Sequence, residues 1–422
     1  MNTLRPNFNQ RILAKRVREN SYKLPMRILN TVMGMLQPFG LMPKRVDSDS
    51  ITKKAKRRTG LSDFGDGMHR IGMDALTAAV NSSPVTNFGK FSSTGFGVDA
   101  LSNRLMMIDY MKKHPEVADI KIERPVFIVG FPRTGTTLLQ NLLHLSEDRR
   151  ALEFWELARP IPVSDDPIKD IAKRQRITKA RLSIANFVVP EMKFIHEVRH
   201  DSLEECWSLF IPQFTIQNWE MTSRWPDYGK FILEHDMKPA YEEYKKYLQI
   251  MVHRVPDKKL ILKCPDHMWH LDALLEVFPD ACIVWTHRDP SRSIPSYCSL
   301  ASLNWRLLYG EFEPKELGPY IEDRFMKGIE RGLAVRETVG EERFLDVNFK
   351  ALLNEPIAAV NKITSHFDLT PVNEAKMEAY LNRDRPDNRG KHNYTAAHYG
   401  LDVDAIKKRF SKYIDSFNVS TN

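Results

Sequence analysis

Cysteine is scarce in this 422-residue chain: Cys206, Cys264, Cys282 and Cys298 are the only four, and none stands in a C-x-x-C pair. That spacing argues against a zinc site and against a disulfide frame, and it predicts reduced core thiols in a reducing compartment. A run of about 18 apolar residues is also missing, so no membrane-spanning helix is expected. The first residues lack the uninterrupted apolar stretch of a signal peptide. A cytoplasmic protein is the simplest expectation. Acid–base balance is uneven. The formal charge is +8, yet residues 1–60 hold 14 Lys and Arg against three acidic residues, while the remainder carries 48 basic and 51 acidic. A uniformly basic surface for nucleic acid is therefore excluded, because the excess belongs to the leader region alone. Internal repeats and low-complexity tracts are absent too.

What is present is a real core, with 42% hydrophobic and 10% aromatic residues. The most informative stretch is Pro125 to Leu145. Val126 to Val129 reads as a short buried strand, Gly130 to Thr137 as a tight loop, and Leu138, Leu139, Leu142, Leu143 and Leu145 recur at helical spacing. Strand, loop and helix in that order make an anion cradle. The loop amides and the helix N-terminus, with its partial charge of roughly +0.5, point at one ligand group. The nucleoside-triphosphate form of this loop is G-x-x-x-x-G-K-[ST]. Here Gly130, Gly135 and Thr137 fit, but Thr136 stands where the Lys belongs and the cation sits inside the loop as Arg133. A hydroxyl cannot neutralise a γ-phosphate, which disfavours ATP or GTP hydrolysis. Such a loop suits one terminal phosphate with a second anionic group beside it.

Before this loop, residues 1–45 mix basic clusters with apolar residues. They read either as a helical extension packed on the body, with Lys53 to Arg58 as a solvated basic loop, or as an arm making peripheral contact with an anionic membrane. Pro25, Pro38 and Pro43 favour the first. A helix follows around Ile71 to Val80, then a Gly/Ser/Asn-rich loop from Asn81 to Gly97, then a helix over Leu101 to Met111. Residues 1–118 are thus expected to form a helical extension with a basic leader, and residues 119–422 the domain built on the P-loop. Beyond the loop, Ala151 to Leu157 reads as a short strand or turn, 168–189 as a basic amphipathic helix, and 191–250 as aromatic-rich helices. Leu260–Lys263, Ala281–Thr286 and Phe344–Val347 read as further strands alternating with helices. The expected fold class is α/β, a P-loop-type parallel sheet flanked by helices. Ligands on such sheets bind beyond the carboxyl ends of the strands. Arg133, Lys263, His267, Arg288 and Ser296 all follow strand ends.

The second signal is His287-Arg288-Asp289-Pro290 followed by Ser296. An Arg fork at a strand end and a Ser hydroxyl on the next helix can grip another phosphate. Alone, Arg-Asp-Pro is a common helix-capping turn. Together with Phe131-Pro132-Arg133-Thr134-Gly135-Thr136-Thr137, it resembles the sulfotransferases that use 3'-phosphoadenosine 5'-phosphosulfate (PAPS), in the Arg form found in the bacterial and tyrosylprotein branches. Gly60-Leu61-Ser62-Asp63-Phe64-Gly65 resembles the bacterial branch as well.

The resemblance implies PAPS as donor, no metal, and in-line sulfuryl transfer to a hydroxyl or amine of a small organic or lipid-like acceptor. Arg133, Thr134, Gly135, Thr136 and Thr137 would hold the 5'-phosphosulfate, and Arg288 with Ser296 the 3'-phosphate. Arg389 and Lys391 lie in a segment similar to the late loop that covers the nucleotide. Arg133 and Lys263 would face the charge that develops in transfer. For the general base, Glu156 is similar in position to the catalytic Glu of the tyrosylprotein branch. His267 competes with it, although it stands four positions after Lys263 where the cytosolic enzymes have two. The alternatives are a P-loop nucleotide kinase or nucleotidase, and a non-enzymatic adaptor on the same fold. The aromatic segment 191–250 carries no code for the acceptor.

Overall fold

A computed structural model of the chain describes residues 24–188, 198–383 and 395–421. Five strands form one all-parallel sheet: β1 (Val126–Val129), β2 (Arg149–Ala151), β3 (Lys259–Lys263), β4 (Cys282–His287) and β5 (Phe344–Asn348). Their spatial order is β2-β3-β1-β4-β5, which puts the anion-loop strand in the middle. Parallel neighbours at one register level point their side chains to one face. Phe127, Leu262, Ile283 and Phe344 form such a row and join one core with Tyr241, Tyr244 and Tyr247. Ile128, Val284 and Leu345 form the next row and pack on the opposite face with Leu139, Leu142, Val360 and Ile363. Both faces are covered, so the strands read as unbroken apolar runs.

The expected parallel sheet is therefore observed, with two differences near the loop. The strand or turn foreseen over Ala151–Leu157 is only the end of β2, followed by a helix at Phe154–Ala158. The aromatic region is broken into a 3₁₀ turn, Cys206–Gln213, and helices Gln217–Ser223, Pro226–Glu234 and Lys238–Arg254.

Helices also precede the sheet, but the sequence misread two of them. The loop expected over 81–97 lies mostly within one long helix, Asn87–Lys113. Its glycines mark close approach rather than a break: a Cβ on Gly97 would come within 2.9 Å of Ile51 Cδ1. Intrinsic propensity yields here to packing. The basic loop expected over Lys53–Arg58 is part of the helix Ser48–Thr59, whose Ile51 and Ala55 are buried. These helices share a core with Trp225, Tyr228 and Ile232 from the later aromatic region.

The helix Leu24–Leu36 buries Met26 and Met33 but is apolar on its outer side as well. Its polar Asn30 accepts from the Phe88 amide at 3.1 Å, and its carbonyl accepts from Asn87 Nδ2 at 3.2 Å. Ile28, Val32 and Met35, spaced to share one stripe, face outward, followed by Phe39 and Leu41 at 77% and 66% exposure.

Candidate active site

β1 delivers its last residue into the loop, and the loop geometry is glycine-dependent at both ends. Gly130 has φ 131° and no room for a side chain, since a Cβ would lie 2.6 Å from the Thr286 carbonyl oxygen. Gly135, at φ 91°, caps the helix Thr136–Leu143, and its Cβ position is 2.9 Å from Leu352 Cδ2. Between them Arg133 itself adopts φ 74°. A left-handed Arg is costly and persists only where its surroundings over-determine it. Thr134 supplies part of that constraint. Its buried hydroxyl donates to the Phe131 carbonyl at 2.7 Å and lies 2.6 Å from Thr286 Oγ1 on the neighbouring strand β4. Thr136 is buried, whereas Thr137 and Arg133 are exposed at the loop surface.

Two cations converge on this loop from adjacent strand ends. Arg288, just past β4, donates from NH1 to the Arg133 carbonyl at 2.5 Å and stacks 4.2 Å over the Phe349 ring. Lys263, the last residue of β3, is 1% exposed and donates to Thr137 Oγ1 at 3.4 Å. The strand end that carries Arg288 is braced from behind. His287 shares hydrogen bonds with Tyr413 (3.0 Å) and Asp346 (2.8 Å), and Arg336 grips Asp346 bidentately at 2.7 and 2.8 Å. Burial pulls the Asp346 carboxyl upward, but Arg336 and His287 outweigh it and hold the group well below the usual carboxylate range. Asp289 caps the helix Pro290–Tyr309 by accepting the Ser291 amide at 2.8 Å. Ser296 lies buried within that helix, while Arg389 and Lys391 fall outside the described residues.

The other two site residues named from sequence have partners within the protein. Glu156 is the third residue of the short helix Phe154–Ala158. One of its oxygens accepts the Glu153 amide (3.0 Å) in a capping box, and the other accepts from Arg150 (2.8 Å). His267 is fully buried beneath β3. Its Nδ1 lies 2.8 Å from the Tyr241 hydroxyl and its Nε2 3.5 Å from Cys206 Sγ. Cys206, Cys264 and His267 come within 4.8 Å of one another here, a cluster that residue spacing alone had hidden. Cys206 spends its thiol proton on the Lys263 carbonyl at 3.4 Å.

Sequence reasoning missed Glu205. Its carboxylate Oε1 lies 3.2 Å from Lys263 Nζ, so an ion pair stands beside the anion loop. No motif points to it. Only the fold brings position 205 to the ends of β1 and β3.

A loop with an in-built cation, a second cation on its backbone and a third at a neighbouring strand end gathers positive charge that could hold one anionic group. The chain belongs to the sulfotransferase family, whose profile matches residues 125–374. It is similar to the omega-hydroxy-beta-dihydromenaquinone-9 sulfotransferase Stf3 of Mycobacterium tuberculosis, with 26% identity over 313 residues spanning 69% of this chain and 74% of that protein. Mycobacterium bovis has a relative of the same name and the same degree of similarity. Among solved structures, sulfotransferase STF1 of Mycobacterium tuberculosis H37Rv superposes with TM-score 0.79 at 30% identity, covering 88% of this chain and 100% of that one. Sulfotransferase STF9 of Mycobacterium avium gives 0.76 at 30% identity, covering 90% and 98%.

Proposed function

We propose that this sulfotransferase takes its sulfuryl group from PAPS and passes it in line to a hydroxyl or amine of a small, lipid-like acceptor. The observation that carries the reading is the contact of Arg288 with the Arg133 carbonyl, which sets two guanidinium-bearing residues on one loop. A donor with phosphate at both the 5' and 3' positions needs two grips, and ATP needs only one. In this reading the Gly130–Thr137 loop and Arg133 hold the 5'-phosphosulfate, Arg288 and Ser296 hold the 3'-phosphate, and Arg389 and Lys391, outside the described residues, also serve the nucleotide. The residues fit such a donor in shape as well. Gly130 and Gly135 leave no side chain over the loop amides, and Phe349 fixes the plane of the Arg288 guanidinium.

Sulfuryl transfer leaves the protein little covalent work, so positioning and opposing charge carry the rate. Arg133 and Lys263 supply that charge where the bond to the leaving phosphate breaks. A nucleotide kinase reading would want a Lys at position 136, where Thr136 stands buried.

The lipid-like acceptor is supported by the relative that carries a menaquinone-derived name, and by the outward apolar stripe on Leu24–Leu36. Leu41 and Phe91 line one groove together with Arg45, Lys54 and Arg58. Apolar residues ringed by cations suit the surface of an anionic bilayer. The described helices include none long and apolar enough to cross a membrane, so the contact would be peripheral. All four cysteines are free and buried, which suits the cytoplasm.

Turnover of PAPS across phenols, sterols, amines, sugars and long-chain alcohols tests the activity. Release of adenosine 3',5'-bisphosphate that depends on an acceptor is expected, and its absence across the whole panel contradicts the reading. Co-sedimentation with phosphatidylglycerol vesicles tests the surface. The double variant Ile28→Asp, Val32→Asp should lose binding, and equal partitioning of variant and wild type removes the membrane contact.

A further inference from the structure

We infer that Glu205 is the general base that takes the proton from the acceptor. The inference rests on the PAPS reading and adds to it the group that the loop itself does not supply. An acceptor oxygen attacking sulfur must approach opposite the leaving phosphate, at the open side of the loop, with a base within hydrogen-bond reach. Glu156 has both oxygens committed, to Arg150 and to the Glu153 amide. His267 is 0% exposed, with neighbours on both ring nitrogens. Glu205 differs from both. Its side chain is 19% exposed, it pairs with Lys263 at 3.2 Å, and Lys263 in turn reaches Thr137 of the loop at 3.4 Å. One carboxylate thus stands two contacts from the anion cradle and still meets solvent.

The chain fixes Glu205 from both sides. Upstream, the Ser202 carbonyl accepts the Phe154 amide at 2.8 Å and the Glu204 amide donates to the Leu152 carbonyl at 3.1 Å. Leu203 bridges antiparallel to Glu153. Downstream, Cys206 is tied to the Lys263 carbonyl. These bonds strap residues 202–206 across the ends of β2 and β3, and the side chain at 205 is aimed by backbone rather than by chance. Lys263 faces Glu205 at 3.2 Å, and the charge on Glu205 is also felt by Cys264, Asp266 and Tyr297. Burial, with a contribution from the charge on Glu205, pushes Asp266 up to about 8. Asp266 therefore stays neutral near pH 7, and it does not compete for the role of proton acceptor.

The step balances as follows. The acceptor O–H bond breaks and its proton moves to a Glu205 carboxylate oxygen. The oxygen's electron pair forms the new bond to sulfur. The bond from sulfur to the 5'-phosphate oxygen breaks, and that oxygen keeps the pair beside the Lys263 ammonium. Glu205 later releases the proton to water.

The test is Glu205→Gln beside Glu205→Asp, with PAPS and an acceptor that wild type turns over in the panel above. Binding of adenosine 3',5'-bisphosphate is measured in parallel. Glu205→Gln should lose roughly 10²–10⁴-fold in kcat, the usual size of a general-base contribution. It should bind the bisphosphate as tightly as wild type or tighter, since a negative charge next to Lys263 has gone. The acid limb of the pH–rate profile should vanish with it, and Glu205→Asp should recover part of the rate. Turnover of Glu205→Gln within fivefold of wild type overturns the assignment. So does a loss matched by an equal loss of bisphosphate affinity, which would mark Glu205 as a support for Lys263 alone. A wild-type protein with no bisphosphate affinity contradicts the PAPS reading instead, and the two failures are distinct.

Discussion

The glycine-bounded loop and the Glu205–Lys263 pair beside it are built on opposite principles. The loop is local: eight consecutive residues, Gly130 to Thr137, supply the turn, the cation and the helix start, and only Arg288 is imported. Beside it nothing is local. Glu205, Lys263 and Thr137 meet from three separated segments, held by a strap of backbone hydrogen bonds between 152–154 and 202–204. A phosphate can be bound by amides that any sequence carries, provided glycines allow the turn. A base needs one particular side chain at one place. The first task is therefore written along the chain and the second in its folding.

The largest expected effect lies in the loop. Arg133→Ala should lower turnover by about 10³-fold, the scale of losing a donor to developing charge. Gly130→Ala should do comparable harm through the backbone, because its Cβ would press on the Thr286 carbonyl. An Arg133→Ala enzyme that keeps a tenth of its rate would break the comparison. Lys263→Met comes next, with a loss of roughly 10²-fold in kcat. Because it also strands Glu205 without its partner, its bisphosphate affinity should fall less than its rate.

How much of this was legible beforehand follows the same division. β1, β3, β4 and β5 announced themselves as apolar runs because both sheet faces are buried, and the order of strands and helices implied the parallel sheet. Arg133 and Arg288 could be read from motifs. Glu205 could not, since its neighbours Glu204 and Cys206 look no different in sequence and the strap that aims it is tertiary. The helix over 87–113 was hidden for a related reason: its glycines and serines report a partner helix at close range, which sequence alone registers as a loop. Glu156 drew attention by position, but its carboxylate closes the helix that begins at Phe154.

That last point gives a sharper contrast of moderate size. Glu156→Gln should cost stability more than rate. It weakens a buried pair with Arg150 and half of a capping box, about 1–3 kcal/mol by denaturant unfolding, while kcat stays within about tenfold. A rate loss of Glu156→Gln as large as that of Glu205→Gln would reverse the roles argued for the two carboxylates.

The last contrast leaves turnover aside and concerns the pH dependence of stability. Asp266 titrates at about 8 in the folded protein because of burial, against 3.8 for the ordinary group. Between those values the unfolded chain has already lost a proton that the native state keeps. The native state is penalised progressively as pH rises through that window, with a slope approaching about 1.4 kcal/mol per pH unit. Asp266→Asn should therefore leave stability at pH 4 nearly unchanged and raise it at pH 8, flattening the alkaline fall in Tm. An identical pH dependence in wild type and variant would show that burial does not hold Asp266 neutral.

Calorimetric titration of the wild type and Arg288→Ala with adenosine 3',5'-bisphosphate, and of the wild type with ATP, tests the two-grip account most directly. Tight binding of the bisphosphate, far weaker binding of ATP, and a loss of roughly 30- to 100-fold on removing the Arg288 guanidinium are expected, the worth of one charged hydrogen-bonded contact. Equal affinity for the two nucleotides, or a bisphosphate affinity indifferent to Arg288, would contradict it.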